Sequence, residues 1–371
     1  MKKIYYLAHY DNLNRSNVRN VSPAAVSLIN YIISKFAKTG YTTEIISFAT
    51  PNTQGKFFYG SEVITELNAY LRLFRYKYSK RKIIRLIKRI FFVIKTSIYT
   101  LFKIRKNSTV IIYHSLDFKI LPRILKKLKK VKIIYQIMEI YGDVTNNLKM
   151  KKKEISSFAA GDSFILINNY ISKYVKSDKF VVIHGPYNLN NKQKKEKEDN
   201  VIDCVYSGTF NKTKGGAFNA IKAFKKLDDS FRLHILGFGN KNEVWYIKKF
   251  IKENNINNNV YFHGLLLGND FTNFLTNCDI GLAPQNPNAQ YNETSFPSKI
   301  ITYMSNGLQV VSSNVSAVKN SKVASSIFFT SNETAEEMAE VIFEASKNKK
   351  DVASKILELD AEFTSDLIKL I

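Results

Sequence analysis

The sequence predicts an α/β protein of two doubly wound domains, each a parallel sheet with helices on both faces. Short apolar strands alternate with amphipathic helices along the whole chain. The 371 residues suit two domains of roughly 180 each better than one. Between the halves, Asn190 to Asn200 is a run of Lys, Glu, Asp, Gln and Asn without a large apolar side chain, the composition of a linker.

Lys3 to Ala8 reads as a buried strand. Ser22 and Pro23 supply an N-cap and a first helical residue. Ala25, Val26, Leu28, Ile29, Ile32, Ile33 and Phe36 follow at helical spacing until Gly40. Thr43 to Phe48 is the next strand. The intervening loop, His9 to Val21, is long, polar and basic, and lies where doubly wound folds bind ligands. Residues 70–106 read as a helical stretch. On a helical wheel Arg85, Lys88, Arg89, Thr96 and Lys103 share one side and Ile83, Ile87, Ile90, Ile94 and Ile98 the other, an amphipathic surface helix with a cationic face. An ordinary solvated helix is the plainer reading. Strands follow at Val110–Tyr113, Lys132–Ile137, Phe164–Ile167 and Phe180–Ile183, with helices at Ile120–Leu128 and Tyr170–Val175.

The second half repeats the alternation. Strands are expected at Val201–Tyr206, Arg232–Leu236, Val260–His263, Ile280–Ala283 and Gln309–Ser312. Helices are expected at Ala217–Lys226, Glu243–Asn254, Asn269–Thr276, from Pro297, and from Ala335 to the end. The boundaries are therefore 1–189, a linker at 190–200, a second Rossmann-like domain at 201–340, and helices at 341–371 that pack back on the first domain.

The formal charge is +25. Residues 1–189 hold 34 Lys and Arg against 10 Asp and Glu; residues 190–371 hold 22 against 21. From Arg72 to Lys106 there are 13 basic residues and no acidic one. Such a field attracts anionic lipid or nucleic acid. A compositional bias toward lysine would load both halves alike, so it does not explain the asymmetry. The apolar run after Met1 ends too early for a secretion signal, and basic residues interrupt the segment from Ile83 to Ile104, against a membrane span. Cys204 and Cys278 are far apart, which fits a reduced cytoplasmic protein.

Three loops at strand ends in the second half suit phosphate. Phe296-Pro297-Ser298-Lys299 opens a helix, whose first N–H groups and Lys299 favour an anion. Gly208 to Gly216 is glycine-rich and carries Lys214 beside Gly215. Gly237-Phe238-Gly239 ends a third strand. Each alone is weak evidence, and together they fall on one sheet edge. No His, Cys, Asp or Glu cluster has metal spacing, and no DxD is present, so no metal is expected.

The segment Tyr206 to Ala335 resembles the donor domain of glycosyltransferase family 4, of GT-B fold with two facing Rossmann-like domains. "YSGTFNKTKGG", "LHILGFG", "VYFHG", "CDIGLAP" and "FPSKIITYMSNGLQVV" follow in the family's order. The last resembles a Pro-Ser-Lys branch of bacterial glucosyl- and galactofuranosyltransferases of surface polysaccharide and adhesins. "VIIYHSLD" and "IIYQIMEIYGDV" resemble more loosely the acceptor-domain loops. The resemblance implies donor contacts at Gly208, Thr209, Lys214, Gly215, Gly237, Gly239, Ser298, Lys299 and Thr302. It implies catalytic roles for His114 and Glu293 and an acceptor contact at Glu139; the polar, basic loop after the first strand adds His9 and Arg15 as acceptor residues. Thr302 stands where better-known members carry a ribose-binding glutamate, Thr294 where they carry its partner, and Thr209 where an arginine is common.

The implied reaction is hexosyl transfer from a nucleotide diphosphate sugar, UDP-sugar favoured, retaining and metal-independent, with no further cofactor. The acceptor is a saccharide, lipid-linked given the cationic first half, in a peripheral protein at the inner face of the plasma membrane. A protein acceptor such as a serine-rich adhesin is the alternative. A homo-oligomer is compatible with either. A nucleic-acid-binding protein would use the basic half, yet no binding motif is present and the phosphate-type loops lie in the neutral half. A sugar-nucleotide epimerase would need an acid/base set that the sequence does not display.

Overall fold

Runs of β-branched and aromatic residues bounded by polar turns give the strands, and helices with apolar residues three and four apart cover them. A computed structural model describes residues 2–13, 19–51, 60–190, 192, 194, 199–210, 216–254, 259–332 and 334–371. The chain divides into two compact units, Met1–Pro186 with Phe363–Ile371, and Tyr187–Glu362.

In the first unit the strands are β1 (Lys2–Ala8), β2 (Tyr41–Ser47), β3 (Gly60–Ile64), β4 (Ala69–Leu73), β5 (Thr109–Tyr113), β6 (Lys132–Ile137), β7 (Ser163–Leu166) and β8 (Phe180–Val182). The helices are α1 (Pro23–Lys38), α2 (Lys82–Lys103), α3 (Leu121–Lys129), α4 (Tyr141–Val144) and α5 (Leu148–Phe158). The sheet order is β3-β4-β2-β1-β5-β6-β7-β8. It is parallel except for β3, which runs antiparallel to β4. Ser22 caps α1, its Oγ accepting from Ala25 N at 3.4 Å. Val26, Ile29, Ile32, Ile33 and Phe36 are buried by that helix.

Two expectations for residues 70–106 need correction. The segment does not begin as a helix: Ala69–Leu73 is a strand aligned with β2, Thr43 opposite Ala69. Its inward residues Ala69, Leu71 and Leu73 alternate with Tyr70 and Arg72, a period of two that the aromatic and basic composition masks. The side of α2 that carries Arg85, Lys88, Arg89, Thr96 and Lys103 is the side that packs, and its cations, Arg89 still 55% exposed, are largely paired rather than a free cationic face. Thr96 is fully buried. Arg85 donates to Tyr78 Oη at 2.8 Å, Arg89 pairs with Asp117 at 3.1 Å, and Lys103 approaches Glu44 at 3.5 Å. Phe92 packs at its centre, edge-on to Tyr76 at 5.4 Å. The isoleucine side is the exposed one.

In the second unit the strands are β9 (Ile202–Thr209), β10 (Phe231–Phe238), β11 (Val260–Gly264), β12 (Ile280–Ala283), β13 (Gln309–Ser313) and β14 (Phe328–Thr330). The helices are α6 (Gly216–Phe224), α7 (Lys241–Glu253), α8 (Gly268–Thr276), α9 (Lys299–Ser305), α10 (Ser316–Lys319), α11 (Ala335–Lys347) and α12 (Val352–Lys369). The sheet is parallel in order β11-β10-β9-β12-β13-β14. Its core is built from Cys204, Tyr206, Ala220, Ile221, Leu233, Ile235, Leu282 and Ile342. The end of α12 belongs to the first unit: Phe363 stacks on Tyr31 at 5.8 Å, and Lys132 Nζ donates to Ile371 O at 3.2 Å.

Candidate active site

Strand order sets where a ligand can sit. In the second sheet the chain runs outward from β9 through β10 to β11, then resumes on the other side of β9 with β12. The carboxyl ends of β9 and β12 therefore flank a topological switch point, the crevice that open α/β sheets use for ligands. In the first sheet the equivalent place lies between β1 and β5.

At the second-unit switch point the backbone is thinned by two glycines side by side in register, Gly208 of β9 and Gly237 of β10. Gly237 has φ +140°, and a Cβ there would lie 1.8 Å from Gly208 O. A Cβ on Gly208 would lie 3.0 Å from Lys299 Nζ. Glycine at 208 thus leaves the room that the ammonium occupies. Lys299 is the first residue of α9, and its Nζ sits over the Tyr206 ring, 4.0 Å from the centroid. Tyr206 is buried and gives its hydroxyl to Thr209 O at 3.1 Å. Burial pushes that phenol well above its usual range, so it stays neutral beneath the lysine. Tyr303, one turn along α9, receives a bond from Ser207 N at 2.7 Å and exchanges another with Ser207 Oγ at 3.0 Å. It ties the helix that carries Lys299 to the end of β9.

The other expected donor residues are placed as follows. Ser298 caps α9 and is exposed, with no side-chain capping bond. Thr302 gives its hydroxyl to Ser298 O at 3.2 Å. Thr209 ends β9, and Gly239 precedes the capping box that Asn240 and Glu243 form at the start of α7. Glu293 is exposed at the end of a short 3-10 turn, while Thr294 beside it is buried. Asn292 braces that loop, its amide nitrogen donating to Asn286 O and Pro287 O, each at 2.8 Å. Lys214 and Gly215 lie outside the described residues, as does Arg15.

In the first unit, His9, His114 and Glu139 follow the adjacent strands β1, β5 and β6 and so share one sheet edge. His9 Nε2 lies 3.1 Å from Ser115 Oγ and 3.2 Å from Asp117 Oδ2. Burial works to raise the Asp117 carboxyl, but the His9 hydrogen bond and the charges of Arg89 and His9 outweigh it and hold the group below its usual value. Glu139 is half-buried near Tyr113 and Tyr141. His114 is only 3% exposed. Its Nε2 meets Glu154 at 2.8 Å, and the same carboxylate accepts from Tyr141 N at 2.9 Å and Gly142 N at 2.6 Å. As placed, His114 braces the loop after β6 rather than presenting its ring at the surface. Sequence reasoning missed Asp117, Tyr206, Tyr303 and Glu154. The only signal for Tyr206 and Tyr303 was an aromatic in each of two phosphate-type segments. Among the described residues, no three His, Cys, Asp or Glu side chains converge as metal ligands would.

Residues 188–357 match the family model described as glycosyl transferases group 1. No curated protein sequence matches the chain. Over its whole length the chain is similar in structure to Anabaena HepE in complex with UDP and glucose, at TM-score 0.68 and 13% identity, covering 100% of this chain and 97% of that one. It is similar to sucrose-phosphate synthase from Thermosynechococcus elongatus at TM-score 0.72 and 13% identity, with the same coverage. It is also similar to the lipopolysaccharide outer core galactosyltransferase WaaB at TM-score 0.64 and 13% identity, covering 99% and 98%. At such identities the likeness establishes the fold, GT-B. The second unit carries a glycosyl transferases group 1 domain, and the chain is a glycosyltransferase.

Proposed function

We propose that the enzyme moves a hexosyl unit from a UDP-sugar to a saccharide acceptor, retaining the anomeric configuration and without a metal. The observation that carries the donor half is Lys299 Nζ over Tyr206 and against Gly208, at the β9–β12 switch point. There the bond between the anomeric carbon and the β-phosphate oxygen breaks, the acceptor hydroxyl oxygen bonds to that carbon, and its proton passes to the departing diphosphate. The charge that builds on the leaving oxygen meets the Lys299 ammonium, with Lys214 as the second cation. A fixed cation of this kind lowers the barrier because the attraction is greatest when the bond is broken. HepE has been solved with UDP and glucose, which supports uridine and a hexose. The group of His9, Ser115 and Asp117 suits the sugar hydroxyls of an acceptor. The basic first half supports a lipid-linked acceptor in surface-glycan synthesis at the cytoplasmic face of a membrane.

Thermal shift with UDP, GDP and a short oligonucleotide tests the reading. UDP in the presence of EDTA should raise the melting temperature most. Stabilisation by the oligonucleotide alone would replace the enzyme reading with nucleic-acid binding, and stabilisation by UDP only when Mg²⁺ or Mn²⁺ is added would remove the lysine account.

A further inference from the structure

α2 has its apolar side turned outward. Its inward line is Phe92, Thr96 and Thr100, all buried. Phe92 meets Phe74 and Tyr76, and Tyr99 meets Phe74 at 5.0 Å. The opposite line is Ile83, Ile87, Ile90, Ile94, Ile98 and Phe102, all exposed, with Ile83 at 74% and Phe102 at 84%. Those positions recur at three and four residues from Ile83 to Phe102 along the helix, about 29 Å at an α-helical rise. An unbroken apolar stripe of that length on a water-facing helix marks an interaction surface rather than scattered exposure.

The charge around the stripe selects its partner. Arg81 and Lys82 stand at the start of the helix and Arg105 and Lys106 just past its end, with Lys88 and Lys95 along it. No acidic residue occurs from Arg72 to Lys106. A second copy docked on the same face would bring like charges together. No helix of the described residues is long and apolar enough to cross a membrane. A large apolar stripe with a basic border and too little hydropathy to span is the signature of a helix lying in the plane of an anionic bilayer interface.

We propose that α2 seats the enzyme in such an interface, with the isoleucine stripe among the acyl chains and the flanking lysines and arginines at the anionic headgroups. This rests on the membrane location proposed above and specifies how the protein is held: by insertion, with charge as the steering force. It does not depend on the donor chemistry.

The full-length protein would be sedimented with phosphatidylcholine vesicles with and without phosphatidylglycerol, at low and high salt. Phe91→Cys, an exposed site in a chain whose two natural cysteines are buried, would carry an environment-sensitive dye. The expected result is binding to the anionic vesicles, a blue shift of the dye, and partial retention in high salt. The triple variant Ile87→Gln, Ile94→Gln, Ile98→Gln should bind roughly tenfold or more weakly with an unchanged melting temperature. Full binding by the triple variant without a dye shift would overturn insertion and leave attachment by charge. No binding by the wild-type protein would overturn both insertion and the membrane location. A dimer that the triple variant dissociates, without vesicle binding, would assign the stripe to a second copy instead.

Discussion

Gly237 and Gly208 show how tightly single residues constrain the donor loop. Gly237→Ala places a methyl 1.8 Å from Gly208 O at a φ that L side chains rarely adopt. It should cost about 2–3 kcal/mol, read by urea denaturation. Gly208→Ala is milder in space but meets Lys299 Nζ at 3.0 Å, so it should weaken UDP binding more than it lowers stability, read by titration. Asp117 makes a pH prediction. Its carboxyl is held below its usual value, so the folded state favours the charged form. That contribution is present above the ordinary carboxylate range, near pH 4, and is lost as pH falls through the lowered value. Denaturation curves from neutral pH down to about pH 3 should show a shallower acid-side loss for Asp117→Asn than for the wild type. An identical slope would mean that the His9–Asp117 contact does not persist in solution.

Among the elements, α2 separates pattern from orientation. Its 3.6-residue periodicity was legible, because isoleucines and cations at regular spacing give an amphipathic helix whichever side turns inward. The side that packs was not legible. It is chosen by Phe74 and Tyr76, which meet Phe92 from outside the helix and so are absent from a wheel of the helix alone. Phe92→Ala should therefore destabilise the fold by about 3 kcal/mol, whereas Ile94→Ala on the exposed side should change it little; a denaturant midpoint for each decides. β4 was hidden for a related reason, since its pairing with β2 is long-range and its five residues are too few to outweigh a basic, aromatic neighbourhood. The alternating strands of the second unit read cleanly because buried parallel strands are continuous apolar runs between glycine turns.

At the scale of the whole molecule, two sheets of independent strand order each place a polar cluster at a switch point: Lys299, Tyr206 and Gly208 in one, and His9, Ser115 and Asp117 in the other. The lysine and the glycines were readable as motif residues. The tyrosines that seat them, and the burial of His114 against Glu154, depend on packing between segments far apart in sequence. The central claim is that Lys299 stabilises the departing diphosphate. Steady-state kinetics of Lys299→Ala and Lys299→Arg, with UDP-sugar as donor and water or a saccharide as acceptor, test it most directly. The alanine variant should lose about a hundredfold or more in kcat, with arginine restoring part of it and both melting as the wild type does. A folded alanine variant with undiminished kcat would contradict the account.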